Sequence, residues 1–178
     1  MKKMIVLLLV CSISMTAFAQ ETATAAIVPN KSFFAELGGP GVLFSANFDT
    51  RFKNSPLGLG GRIGIGFVTA DEANYDPVSG YDYRSRSVIT VPVQLNYLFG
   101  KPNSLSAFEI GIGATYIGKK LDILDYYEDE ATQLLGTASF MYRRMPKDGG
   151  FSWRIGFTPL FANGLIQPFG AASIGYNF

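Results

Sequence analysis

The sequence has no histidine, a single cysteine and little charge. Without histidine there is no imidazole to serve a Ser-His-Asp triad, to pair with a catalytic cysteine or to bind a metal. One cysteine cannot form an internal disulfide or a cysteine-based zinc site. Lysine and arginine number 15 against 14 aspartate and glutamate, so the net charge of +1 creates no field that would recruit nucleic acid. We therefore expect no cofactor, no metal site and no nucleic-acid partner.

The start of the chain predicts a signal peptide. Two lysines precede an apolar run, and Ala17-Phe18-Ala19 places small residues at the two positions that signal peptidase reads. The run is too short and wrongly flanked for a transmembrane helix. We therefore expect residues 1–19 to be removed by cleavage near Ala19. A lipoprotein signal at Cys11 is the weaker alternative, because a large residue precedes the cysteine where a small one is needed.

Long apolar runs are missing from the rest of the chain. No later stretch approaches the roughly 18 apolar residues of a transmembrane helix. Segments of about ten residues instead alternate apolar with small or polar residues, which is the pattern of transmembrane strands. After a flexible lead over 20–31, this predicts one all-β domain over 32–178, a transmembrane eight-stranded antiparallel up-and-down barrel. The predicted strands are 32–38, 42–52, 57–68, 88–99, 105–117, 132–143, 151–162 and 165–178.

Charged residues follow the same alternation. Seven lie inside the predicted strands, and all seven are on the face opposite the apolar one. That face is otherwise rich in glycine, serine and threonine, a poor water-facing surface but a suitable lining for a narrow lumen, while the apolar face suits lipid. Buried charges must be paired. We therefore expect an ion-pair network that fills the lumen, made of Glu36, Asp49, Arg51, Arg62, Glu109, Arg143 and Arg154.

Two local features predict details of the strand pairing. Asn163-Gly164 is a two-residue hairpin signal, and a tight turn there pairs Phe161 with Ile166. Pro92 lies in the middle of the fourth predicted strand, where proline removes a ladder hydrogen bond. Its position predicts either a bulge or a misplaced strand.

The strand count also predicts a topology. Eight strands return the C-terminus to the periplasmic side, where the turns are short, and leave two long outer loops at 69–87 and 118–131. The second loop carries a run of acidic residues without the spacing of an EF-hand, which favours a solvated loop over a cation site. The first mixes tyrosine with arginine, which suits a recognition surface or an aromatic belt. The candidate recognition residues are Tyr75, Tyr81, Tyr83, Arg84 and Arg86.

The last six residues, Ser-Ile-Gly-Tyr-Asn-Phe, end the chain on an aromatic. With the alternation before them, they make the sequence resemble the small eight-stranded outer-membrane β-barrel proteins of bacteria, the group of OmpA-like, OmpX-like and OmpW-like barrels. The likeness covers the mature chain in pattern and only these residues in motif. It implies a monomer in outer-membrane lipid, and recognition by the barrel-assembly machinery through Ser173, Gly175, Tyr176 and Phe178.

The sequence therefore predicts an integral outer-membrane barrel with a polar, largely plugged lumen and a structural or surface-interaction role. The enzymes of that family rely on a catalytic histidine, which this chain lacks, so we expect no enzymatic activity. Two alternatives remain at this point. One is a narrow porin-like channel for small solutes, and the other is a soluble secreted lipocalin-like barrel that binds lipid.

Overall fold

The computed structural model describes residues 28–76, 80–101, 104–121, 132–162 and 164–178, with side chains described outside 70–86, 119–121 and 132. The predicted signal peptide, most of the predicted lead, the acidic run at 122–130 and Asn163 lie outside these ranges. The described residues form ten strand segments: β1 (Lys31–Gly38), β2 (Phe44–Arg51), β3 (Gly58–Asp76), β4 (Gly80–Gly100), β5 (Ser106–Leu121), β6 (Thr132–Arg144), β7 (Gly150–Phe157), β8 (Leu160–Ala162), β9 (Leu165–Gln167) and β10 (Gly170–Asn177).

The ten segments close into an antiparallel barrel of eight strands. Each of β1 to β5 pairs with the next segment along the chain, β7 with β8 forms the seventh barrel strand, and β9 with β10 forms the eighth. Pairing of β10 with β1 closes the ring, and backbone hydrogen bonds of 3.1 and 2.9 Å join Lys31 and Phe178 in both directions. We call the rim that holds these two residues the lower rim and the opposite one the upper rim. The predicted fold class is confirmed.

Side chains alternate between an apolar outer surface and a polar interior. On β5, Ile112 is 70% exposed while its inward neighbours Glu109 and Thr115 are fully buried. The other barrel strands follow the same phase, so large apolar side chains cover the outside at half height. A soluble lipid-binding barrel requires the reverse arrangement, with its apolar face inside.

Within the described ranges, no helix reaches the length and apolar character that crossing a membrane requires.

Three strands are longer than the sequence predicts. Residues 69–76 and 80–87 are strand and not loop, because β3 and β4 stay paired in one register from Phe67 opposite Ile89 to Asp76 opposite Gly80. Segment 118–131 begins as strand, since β5 continues to Leu121. The strand ends were predicted from the contrast between an apolar and a polar face. That contrast ends before the backbone pairing does, so the predicted strands are too short.

Prolines explain why two predicted strands are each divided in two. β7 stops at Phe157, just before Thr158 and Pro159, and β9 stops at Gln167, just before Pro168. Proline has no backbone N–H to donate to a ladder, so the pairing changes at these positions. The division shifts the partner of β6 from β7 to β8 within one barrel strand.

The register predictions have mixed outcomes. Phe161 pairs with Ile166, so the register predicted from the Asn163-Gly164 signal is confirmed. The bulge or misplacement predicted from Pro92 is wrong. The β3–β4 ladder is interrupted between the pairs Ile63–Val93 and Gly66–Thr90 and then resumes in the same register. The strand therefore accommodates the missing N–H of Pro92 without an inserted residue.

Candidate functional site

The densest cluster of charge lies inside the barrel, around two carboxylates. Asp49 on β2 forms ion pairs with Arg51 and Arg143, and its Oδ2 atom lies 3.7 Å from Nη1 of Arg154. Glu109 on β5 lies 3.2 Å from Nε of Arg143 and 3.6 Å from Nη1 of Arg154. Two arginines from the adjacent strands β6 and β7 thus bridge carboxylates held on β2 and β5, which ties separate parts of the wall together through the lumen.

A second ion pair stands beside the first cluster. Glu36 on β1 and Arg62 on β3 are joined by contacts of 2.5 and 3.4 Å, and both side chains are fully buried. The ring of Phe34 lies between this pair and the larger cluster, because its centroid is 3.4 Å from Cζ of Arg154 and 5.2 Å from Cζ of Arg62. A buried cation over an aromatic face is stabilised by the ring quadrupole. Phe34 therefore offsets part of the cost of burying two arginines.

One carboxamide links two of the charged residues. Asn96 donates to Oε1 of Glu109 at 3.1 Å, and its Oδ1 accepts from Nη2 of Arg51 at 2.6 Å. The seven charged residues comprise four arginines and three acids, so the Asn96 oxygen supplies an acceptor that the carboxylates alone do not provide. Further up the barrel, Gln94 donates to Oγ1 of Thr137 at 2.9 Å, outside the ion pairs.

The predicted charge residues therefore lie together inside the barrel. Each is at most 5% exposed, and each makes at least one ion pair within the described residues. The arrangement holds charges in fixed pairs. Within the described part of the chain, no group of three or more His, Cys, Asp or Glu side chains is placed to hold a metal ion.

A turn from the upper rim folds into the lumen. The 3-10 turn Gly39–Gly41 and Val42 after it are buried. Two threonine hydroxyls of the wall hold the turn from below, Thr90 donating to the carbonyl of Gly41 at 2.9 Å and Thr115 to that of Pro40 at 2.6 Å. The second strand consequently starts at residue 44 and not at 42 as predicted.

Val42 carries backbone strain at the end of this turn. Its φ of 75° lies in the left-handed region, which β-branched residues avoid. Such a conformation persists only when its surroundings hold it in place. Here the holding contacts come from apolar side chains that point inward at the upper rim: Val68, Val88, Ile117, Leu135, Leu160 and Ala162, with Phe169 packed against them.

This upper apolar cluster corrects the prediction of a polar lumen, which holds only between it and a smaller apolar cluster of Leu98, Ala107 and Met145 near the lower rim. The turn needs apolar partners because the apolar side chains of Pro40 and Val42 are buried. The signal was present in the sequence. Val68 is in phase with Arg62, and Ile117 is in phase with Glu109, so simple alternation places both inside. The same reasoning would have found Phe34, which is in phase with Glu36.

A small cavity lies between the charges and the lower rim. The cavity there has a volume of about 10 Å³ and is lined by Ser32, Asp49, Arg51, Arg143 and Asn177 among others. A volume of this size is near the minimum of about 10–15 Å³ that holds one water molecule.

The residues predicted as an assembly signal lie on both faces of β10 and at Phe178, the residue that follows it. Ser173 points inward opposite Glu36, whereas Tyr176 and Phe178 point outward and are 59% and 48% exposed. Gly175 faces the interior, where a Cβ atom would lie 2.9 Å from Cα of Phe34. Glycine at this position leaves the room in which Phe34 sits under the arginines.

The predicted recognition residues lie in the paired outer ends of β3 and β4, and not in a loop. Their side chains are outside the described part of the structure, so only the backbone register places them. Tyr75 pairs with Tyr81, Ala73 with Tyr83, Glu72 with Arg84 and Ala70 with Arg86.

Comparison with known proteins supports the fold. No protein-family model matches this sequence, and no curated protein matches it. Solved structures with a similar fold include the N-terminal β-barrel domain of Pseudomonas aeruginosa OprF, with a TM-score of 0.51 and 8% identity over 84% of this chain and 96% of that one. They also include the Yersinia pestis outer membrane protein Ail, with a TM-score of 0.49 and 12% identity over 84% of this chain and 99% of that one. The closed ring of eight strands and the likeness to the OprF domain give the chain the fold of the small eight-stranded outer-membrane barrels.

Proposed function

We propose that this protein is a monomeric integral barrel of the bacterial outer membrane with a closed interior and a structural or surface-contact role. The observation that carries the proposal is the combination of an apolar outer surface with an interior filled by ion pairs and an inward turn. Neither transport through the lumen nor catalysis within it is part of the proposed role, because the charged groups are committed to one another.

The outer surface supports the membrane location. Ile63, Val93 and Ile112 lie on adjacent strands at half height and are 54%, 49% and 70% exposed. An apolar band of this extent is unfavourable in water and favourable against acyl chains. Closure of the barrel also satisfies backbone hydrogen bonds without water, which any spanning structure in lipid requires.

The interior supports the closed lumen. An eight-stranded barrel has an interior just wide enough for side chains to fill. Here the paired arginines fill its lower part, and the turn at Gly39–Gly41 with the upper apolar cluster fills its upper part. A solute entering from either rim meets groups that are already bonded to each other.

The length of β3 and β4 supports contact with molecules outside the membrane. These strands have 19 and 21 residues, whereas crossing requires only about 9–11. The parts of β3 and β4 that lie beyond the Phe67–Ile89 pair, on the side away from the lower rim, stay paired as far as Asp76 and Gly80. They extend about 30 Å at the usual strand rise of about 3.3 Å per residue. We propose that this ribbon, with Tyr75, Tyr81 and Tyr83 in it, is the contact surface.

The C-terminal strand supports assembly by the barrel-assembly machinery. β10 pairs with β1 along its length and closes the ring, so it is the strand whose placement completes the barrel. We propose Ser173, Gly175, Tyr176 and Phe178 as the residues recognised.

We expect the purified protein to produce no steady current steps in planar lipid bilayers, because the lumen is closed. Single-channel recording measures this directly, and the slower gel migration of heated sample relative to unheated sample serves as the control that the protein was folded. A steady conductance that changes when Arg62 or Arg154 is replaced by alanine would contradict the closed lumen and favour a narrow channel.

A further inference from the structure

A cleft on the outer surface at the lower rim combines an exposed arginine with apolar walls. It has a volume of about 260 Å³ and is lined by Leu105, Arg144, Met145, Pro146, Phe151 and Trp153. Arg144, the last residue of β6, lies in register between Ser106 on β5 and Trp153 on β7. The backbone of Arg144 is therefore held in the barrel wall by strand pairing, so its side chain does not start from a turn.

Arg144 differs from the four arginines of the interior. Each of those has a carboxylate partner, whereas Arg144 is exposed and forms no ion pair within the described part of the chain. Asp148, in the turn between β6 and β7, is also exposed and unpaired there. The guanidinium of Arg144 is thus available to an anion, since no carboxylate of the described residues occupies it.

The walls of the cleft indicate where that anion lies. Trp153 packs on Tyr142 with ring centroids 5.6 Å apart, and the Tyr142 hydroxyl is 2.6 Å from Oγ of Ser106. Phe151 is 65% exposed beside them. Aromatic side chains with polar tips are enriched where lipid headgroups meet acyl chains.

We infer that this cleft binds the headgroup of an anionic phospholipid in the leaflet at the lower rim. The guanidinium fork matches two phosphate oxygens, and the apolar walls contact the glycerol and the first acyl carbons. A free phosphate ion gains nothing from walls of Leu105 and Phe151, which favours the lipid as occupant. This inference rests on the proposed membrane location, because only there does the lower rim meet headgroups.

The chain carries its own probe of this site, because Trp153 is its single tryptophan. The full-length protein is folded into phosphatidylcholine vesicles that contain a minor fraction of lipid brominated on its acyl chains. The brominated lipid is phosphatidylglycerol in one set and phosphatidylcholine in the other, and quenching of Trp153 emission reports local enrichment. We expect about fivefold enrichment of phosphatidylglycerol, which corresponds to the roughly 1 kcal/mol that one cation gains at an anionic surface.

Variants separate the cleft from the charge of the rim. Arg144→Gln is expected to abolish the preference, Arg144→Lys to retain part of it, and Lys53→Gln, which removes an exposed charge from the turn between β2 and β3, to leave it unchanged. An Arg144→Gln variant that keeps the preference and still shows heat-modifiable migration would overturn the inference. So would a saturable change of Trp153 emission caused by inorganic phosphate alone.

The same data distinguish this inference from the proposed function. Quenching by both brominated lipids without preference shows insertion and overturns only the headgroup site. The absence of quenching by either lipid contradicts membrane insertion, and the site is then overturned with it.

Discussion

Replacing Asp49 with asparagine is expected to destabilise the folded barrel by about 3–5 kcal/mol, the usual cost of removing one partner from a buried ion pair. Asp49 forms ion pairs with Arg51, Arg143 and Arg154 and is 1% exposed. Asparagine preserves the shape of the side chain but removes the negative charge that these three guanidinium groups share. The remaining carboxylates cannot move to replace it, because each is fixed on another strand.

Reversible unfolding by urea in phospholipid vesicles measures this loss. Asp148→Asn is the matched control, since that carboxylate is exposed in a turn, and a change within about 0.5 kcal/mol is expected there. The double variant Asp49→Asn with Arg143→Gln removes one charge of each sign and should lose less than the single variant, as expected for coupled sites. A single variant as stable as the wild type would show that the interior charges reach water.

Placing arginine at Ile112 is expected to cost about 2–4 kcal/mol, the value for a cation on the lipid face of a barrel at mid-depth. Ile112 is the most exposed large apolar side chain of the described residues and lies halfway along the crossing part of β5. Its strand partners Leu95 and Ala138 also face outward, so no neighbouring carboxylate can pair with the new charge.

The second experiment compares the same substitution at two depths in the membrane. Phe99→Arg makes the same change near the lower end of β4, where the expected cost falls to about 0–1 kcal/mol apart from the loss of the ring. Both variants are measured by urea unfolding in the same vesicles. Equal midpoints for the Ile112 variant and the wild type would contradict the placement of this face in the acyl region.

Most of the correct predictions rest on the alternation of apolar and polar residues along each strand. A period of two, read over segments of about ten residues, places Ile112 outside and Glu109 inside without any knowledge of the fold. The Asn163-Gly164 signal correctly pairs Phe161 with Ile166, because a two-residue turn permits one register only. These are local rules, and they held because strand geometry is local.

Features that depend on free space or on distant partners were not predictable in the same way. The inward turn at Gly39–Gly41 requires a gap in the lumen and the hydroxyls of Thr90 and Thr115, which lie far away in sequence. The outer ends of β3 and β4 are polar, so the contrast that marks a strand is lost while pairing continues. The interior position of Phe34 was within reach, because its phase agrees with that of Glu36, but its packing against Arg154 depends on Gly175 across the sheet.

The central claim is that the apolar face meets lipid while the opposite face is sealed from it, and methyl NMR in lipid nanodiscs tests this most directly. Two pairs of like residues on single strands are suited to it: Ile112 with Ile117 on β5, which are 70% and 0% exposed, and Val93 with Val88 on β4, which are 49% and 6% exposed. We expect the methyl groups of Ile112 and Val93 to show cross-peaks to acyl-chain protons, and those of Ile117 and Val88 to show none. Acyl contacts at Ile117 and Val88 with none at Ile112 and Val93 would contradict the orientation on which the membrane assignment depends.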